Sequence, residues 1–251
     1  MIAVADVEIT MQSKLSLILS LHVPVTFREF SNSTVKTKSK SGLVSMDQKT
    51  YWEQVYQTKA PDAVSWYRQH LEKSLELIKQ ADTDPSACII DVGGGESTLV
   101  DDLLEFGYRN ISVLDISETA IDVSKHRLGN RAALVSWIAA NITDVELPSQ
   151  RYDVWHDRAV FHFLTTSDER SAYVKQVANS VKPGGHVIVA TFGPQGPEKC
   201  SGLTTMRYDA NSLHKEFGPK FKLIESATEL HATPFGTMQQ FLYCYCVVEA
   251  T

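Results

Sequence analysis

The stretch IIDVGGGESTLVDDLLEFG, from Ile89 to Gly107, sets Asp91, Gly93, Gly94, Gly95 and Glu96 close together between an apolar run and a helical pattern. A glycine turn at that junction lets backbone approach a ligand and aims N–H groups at it. Three ligand classes compete for such a turn. A nucleoside triphosphate needs Lys followed by Ser or Thr after the glycines, and no Lys follows here. A dinucleotide needs a third glycine where this chain has Thr98, and Glu96 stands at the helix entrance where a pyrophosphate would sit. The third class is S-adenosylmethionine, which has no phosphate. Its ammonium could be received by Asp91 or by Glu96, directly or through water.

Two further groups of residues carry chemistry. Asp115 ends the next apolar run, where an acidic side chain can accept both ribose hydroxyls; its plainer role is to cap the helix that begins near Ser117. The stretch WHDRAVFHFL gathers His156, Asp157, Arg158 and His162. Either histidine could assist proton removal, Asp157 could hold an amine, and Arg158 a carboxylate. The plainer alternative is a structural Asp157–Arg158 ion pair with histidines that fill a helix face. Cys200, in the Gly- and Pro-rich loop GPQGPEKCSGLTTMRY, reads as an unreactive thiol under a lid-like segment.

The elements that must position these residues follow from periodicity. DQKTYWEQVYQTK and DAVSWYRQHLEKSLELIKQ have helical spacing, and Pro61 separates them. ACIIDV, NISVLDIS, AALVSWIA, RYDVWHDRA and HVIVATF read as five strands, with helices between most of them. Ser117 caps ETAIDVSKHRL and Gly129 closes it; Ser167 caps SDERSAYVKQVANSV. FKLIESATELHA and MQQFLYCYCVV are joined only by a short turn, so they must run antiparallel. The expected fold is α/β: a doubly wound, Rossmann-like, mostly parallel seven-stranded sheet with helices on both faces and a C-terminal antiparallel hairpin.

The chain has 251 residues, 43% of them hydrophobic, enough for one sizeable core. Its net charge of -6 argues against a nucleic-acid partner, and no apolar run is long enough to span a bilayer. Four cysteines without metal-ligand spacing indicate free thiols, a cytoplasmic setting and no metal site. Residues 1–45 differ from the rest and read as a disordered or targeting-like extension, which would make the location organellar; the domain then covers residues 46–251.

IIDVGGGES, VLDIS, ANITD, YDVWHDRAVFHFL and VKPGGHVIVATF stand in the order and spacing of a known family. From Tyr51 to Val248 the chain resembles the class I S-adenosylmethionine-dependent methyltransferases. The resemblance implies S-adenosylmethionine as cofactor and S-adenosylhomocysteine as product. It implies a cofactor site at Asp91, Gly93, Gly94, Gly95, Asp115, Ile116, Asn141 and Ile142, with Ile138, Ala139 and Ala140 near the adenine. It implies an acceptor side at His156, Asp157, Arg158 and His162. In relatives the N-terminal helices, which here carry Tyr51, Trp52, Trp66 and Tyr67, often cover the pocket. The family commonly has Gly at Ser97 and Asp at Asn141. The strand-four exit is loosely similar to the branch that methylates protein lysines, but HDRAVFH replaces that branch's acidic-lysine-glycine stretch. The acceptor is therefore a protein lysine or a small molecule. A nicotinamide-dependent oxidoreductase and a non-catalytic S-adenosylmethionine-binding module are the alternatives.

Overall fold

The computed structural model describes residues 47–81 and 84–250. The expectations for residues 1–45 and for Met46 lie outside the described residues. Asp47 accepts from Thr50 N and starts α1 (Gln48–Thr58). α2 (Glu72–Ala81) leads to β1 (Cys88–Val92), α3 (Leu99–Glu105), β2 (Asn110–Asp115), α4 (Glu118–Leu128), β3 (Val135–Ala139) and β4 (Tyr152–Arg158). Then come α5 (Ser167–Ser180), β5 (Val181–Phe192), α6 (Ala210–Phe217), β6 (Phe221–Ala232) and β7 (Met238–Val248). No described helix is long and apolar enough to cross a membrane.

The sheet order is β3-β2-β1-β4-β5-β7-β6. The first five strands are parallel, and β7 runs antiparallel to both β5 and β6. Each central strand feeds two cores, because successive side chains point to opposite faces. Ile89, Val154 and Ile188 pack with α2 and α3 on one face. Ile90, Trp155, Val187 and Val189 pack with α5 and α6 on the other. The order reverses between β1 and β4, so their C-terminal ends open a crevice there, where doubly wound sheets bind ligands.

The expected helix from Asp62 to Gln80 begins only at Glu72. Residues 64–71 form an irregular strap instead. Its carbonyls have tertiary partners: Ser65 O lies 2.8 Å from His231 Nε2, Trp66 O accepts from Arg158 Nη1 at 3.2 Å, and Gln69 O accepts from Thr98 Oγ1 at 2.8 Å. Thr166, not Ser167, caps α5 through a reciprocal pair with Glu169.

Candidate active site

The glycine turn is tied to the sheet. Gly93 N and Gly94 N both donate to Leu114 O, at 2.7 and 3.2 Å. Those N–H groups are therefore not free to cradle a phosphate. Gly93 has φ +71° and Gly95 φ +38°, the region that disfavours a side chain. A Cβ at Gly93 would sit 2.0 Å from Val160 Cγ2. One at Gly95 would sit 2.8 Å from Asp115 Oδ2 and 3.3 Å from Tyr56 Oη. The absent side chains let Val160, Asp115 and Tyr56 pack closely on the turn. Beside it a cleft opens between the strap and the strand ends, lined by Tyr56, Trp66, Asp91, Glu96, His156 and Arg158 among others.

Asp91 and His156 lie on adjacent strands, in register. Asp91 Oδ1 is 2.7 Å from His156 Nδ1, and His156 Nε2 is 2.9 Å from Ser74 Oγ. Ser74 Oγ is 3.2 Å from Tyr243 Oη, which donates to Glu229 Oε2 at 3.2 Å. A buried polar chain thus runs from the cleft floor through α2 to β7 and β6. Both nitrogens of His156 are engaged in it, so this ring fixes the orientation of Asp91 rather than offering a free base. Arg158 also faces this side, with its guanidinium 4.1 Å over the Phe241 ring and 3.7 Å from Glu229.

The β4 pleat separates the acceptor-side quartet expected from sequence. His156 and Arg158 line the cleft; Asp157 points to the opposite face. Its carboxylate accepts from Val160 N (2.8 Å), Phe161 N (3.1 Å) and Tyr173 Oη (2.7 Å). Burial pushes its pKa up to about 6 against these donors. It does not line the cleft, and it makes no ion pair with Arg158. His162 is buried, with its ring against Phe192 and Nδ1 accepting from Phe192 N at 3.2 Å. Burial and Arg158 push its pKa down to about 3, so it is neutral at physiological pH and does not line the cleft.

The residues that the resemblance assigns to the cofactor follow the C-terminal ends of β1, β2 and β3. Asp115 is buried behind Gly95, its Oδ1 accepting from Ser117 N at 2.8 Å, and burial pushes its pKa up to about 7. Asn141 Oδ1 accepts from Thr143 N and Oγ1 at 3.0 and 2.9 Å, so its carbonyl closes a local turn. Ile116 is half-buried and Ile142 is in the core. Two residues not singled out from sequence complete the wall. Glu53 of α1 accepts from Ser117 Oγ, Glu118 N and Thr119 N, bracing the start of α4. Tyr56 has its pKa held well above the usual range by burial and by the charges of Asp115 and Glu96. Neither carries a local signal, because each acts on elements distant in sequence.

Trp52 meets Trp66 and Phe163 edge to face, with centroids 5.9 and 5.2 Å away, and Tyr56 meets Trp66 in the same way. Trp52 and Tyr56 are tilted against each other, and Tyr56 and Trp66 line the cleft. The loop after β5 meets them where Tyr51 Oη bonds Ser201 O. Burial pushes the Cys200 thiol up to about 11, in keeping with an unreactive role. Among the described residues no cluster of His, Cys, Asp and Glu is arranged to hold a metal.

Residues 90–189 match the family described as "Methyltransferase domain". The mouse protein "eEF1A lysine and N-terminal methyltransferase" is 30% identical over 138 residues, which is 55% of this chain and 19% of the mouse protein. The chain spans about a fifth of the length of the curated relatives of that name that it matches. The N-methyltransferase NodS from Bradyrhizobium japonicum, solved with S-adenosylhomocysteine, superposes with a TM-score of 0.61 at 13% identity, over 81% of this chain and all of that one. A structure from work on thioacetal formation in echinomycin biosynthesis gives a TM-score of 0.67 at 17% identity, over 81% and 93%.

Proposed function

We propose that this chain, whose residues 90–189 match the family described as "Methyltransferase domain", is a class I S-adenosylmethionine-dependent methyltransferase and transfers a methyl group from S-adenosylmethionine to a protein lysine or a small molecule. One observation carries the choice of cofactor: the N–H groups of Gly93 and Gly94 are committed to Leu114 O, and the cleft beyond them is walled by Asp91 and Glu96, with Asp115 behind Gly95. Such a wall repels a pyrophosphate and suits a cationic ligand. Asp91 and Glu96 would face its ammonium, Asp115 its ribose, and Ile116, Asn141 and Ile142 its adenine.

S-adenosylmethionine supplies an activated methyl on a sulfonium. The chain's own residues must align the acceptor and exclude water. Tyr56 and Trp66, packed with Trp52 and Phe163, line the cleft, and Arg158 ties the strap to β4. The curated relatives named for lysine and N-terminal methylation support a protein amine as acceptor; a small molecule is equally open, because a fold does not fix its acceptor. A reducing, cytoplasmic location fits the four free cysteines.

The test is titration calorimetry of the full chain with S-adenosylmethionine, S-adenosylhomocysteine and NADH. Micromolar binding of the first two and none of the third is the expected result; binding of NADH alone overturns the reading. Labelled S-adenosylmethionine with fractionated lysate then tells protein from small-molecule acceptors. Asp115→Ala is expected to weaken cofactor binding by about 2–3 kcal/mol, through loss of charge-assisted ribose contacts. Unchanged affinity in that titration removes Asp115 from the site.

A further inference from the structure

Glu96 is 9% exposed, and both its carboxylate oxygens are buried without a hydrogen-bond partner. A buried carboxylate in that condition is costly unless it is neutralised or meets a cation. The groups around it do not supply one. Arg127 of α4 donates to the backbone carbonyls of Glu96 (2.9 Å) and Ser97 (2.7 Å) and to Asp101 (2.8 Å), not to the Glu96 carboxylate. The other facing groups are Asp115 from β2 and Tyr56 from α1. Asp91, in the same cleft wall, has Oδ1 engaged by His156.

We propose that Glu96 receives the cofactor's ammonium, and that the arriving cation displaces a proton which Glu96 carries in the free protein. This rests on the methyltransferase reading above. The balance is simple: one proton leaves a carboxyl for solvent, one ammonium takes its place, and no covalent bond changes. Both carboxyl pKa values stand at about 7, raised chiefly by burial, with Arg127 opposing the shift at Glu96 and Ser117 N–H opposing it at Asp115. The cation meets an ionised Glu96 only after deprotonation. Affinity should therefore rise with pH, roughly tenfold between about pH 6 and pH 8. The free protein's stability runs the other way. Folded pKa values above the unfolded ones give a contribution that is present at low pH and lost as pH rises through about 7.

The test is calorimetric titration of the full chain with S-adenosylmethionine and S-adenosylhomocysteine at about pH 7, in phosphate and in Tris, whose ionisation heats differ. The expected result is release of about half a proton or more per ligand. Glu96→Gln should bind about tenfold more weakly, without that release, and Glu96→Asp should keep it. Glu96→Gln should also melt higher than the parent at about pH 8, which shows that it folds. Equal release with both ligands fits the ammonium, which they share; release with S-adenosylmethionine alone overturns the ammonium assignment. No release, or release unchanged in Glu96→Gln, overturns the proposal. Failure of the parent to bind either ligand instead overturns the cofactor reading, and the two failures are distinguishable.

Discussion

Asp157→Ala is expected to lower the unfolding free energy by about 3–5 kcal/mol, the range for breaking a buried hydrogen-bonded network around a charge. The carboxylate holds Val160 N, Phe161 N and the Tyr173 hydroxyl, and Tyr173 Oη in turn accepts from Trp155 Nε1 at 2.9 Å. The side chains of Trp155, Asp157, Phe161 and Tyr173 are fully buried. Truncation leaves three donors without an acceptor, the Phe161 and Tyr173 ones in fully buried bonds, at about 1–3 kcal/mol each before relaxation. The same contacts fix the turn after β4 whose Val160 touches the space above Gly93, so disorder there also loosens the cofactor turn. Urea unfolding followed by near-UV circular dichroism measures the loss. A variant with the parent's stability and no turnover would return Asp157 to the acceptor side.

Gly95→Ala is expected to weaken cofactor binding by about a hundredfold or more, near 3 kcal/mol. Its cause is placement. The new methyl lies 2.8 Å from Asp115 Oδ2 and 3.3 Å from Tyr56 Oη, so it occupies the gap between the carboxylate and the α1 wall. The left-handed backbone adds about 1 kcal/mol of strain. Gly107→Ala separates the two effects. Gly107 has φ +97° and nothing within 4 Å of an added Cβ, so this variant should lose about 1 kcal/mol of stability and keep cofactor affinity. Titration of both variants, alongside their melting temperatures, checks the pair; equal affinity losses would mean that strain, not occupancy, governs the turn.

The sequence by itself determined the architecture. Apolar runs of five to seven residues alternating with helical periods leave little but a doubly wound sheet, and the short link between β6 and β7 requires them to be antiparallel. The glycine turn, Asp91 and Asp115 were legible because strand ends and turns are local features, fixed by residue type and spacing. Ser117 at the start of α4 and Gly129 at its end were legible for the same reason. What only the tertiary structure decided is which side of each element meets the ligand. The β4 alternation puts His156 and Asp157 on opposite faces, but it does not say which face opens on the cleft; that depends on α2 and α5 covering the two sides. Residues 64–71 have a helical pattern and become a strap because His231, Arg158 and Thr98 bond their carbonyls. Ser74, Tyr243 and Glu229 hold His156, and Glu53 braces α4, across separations of roughly 15 to 170 residues. Periodicity records only which positions are apolar. A buried polar group is defined by the partner the fold brings to it, so these roles could not be read along the chain.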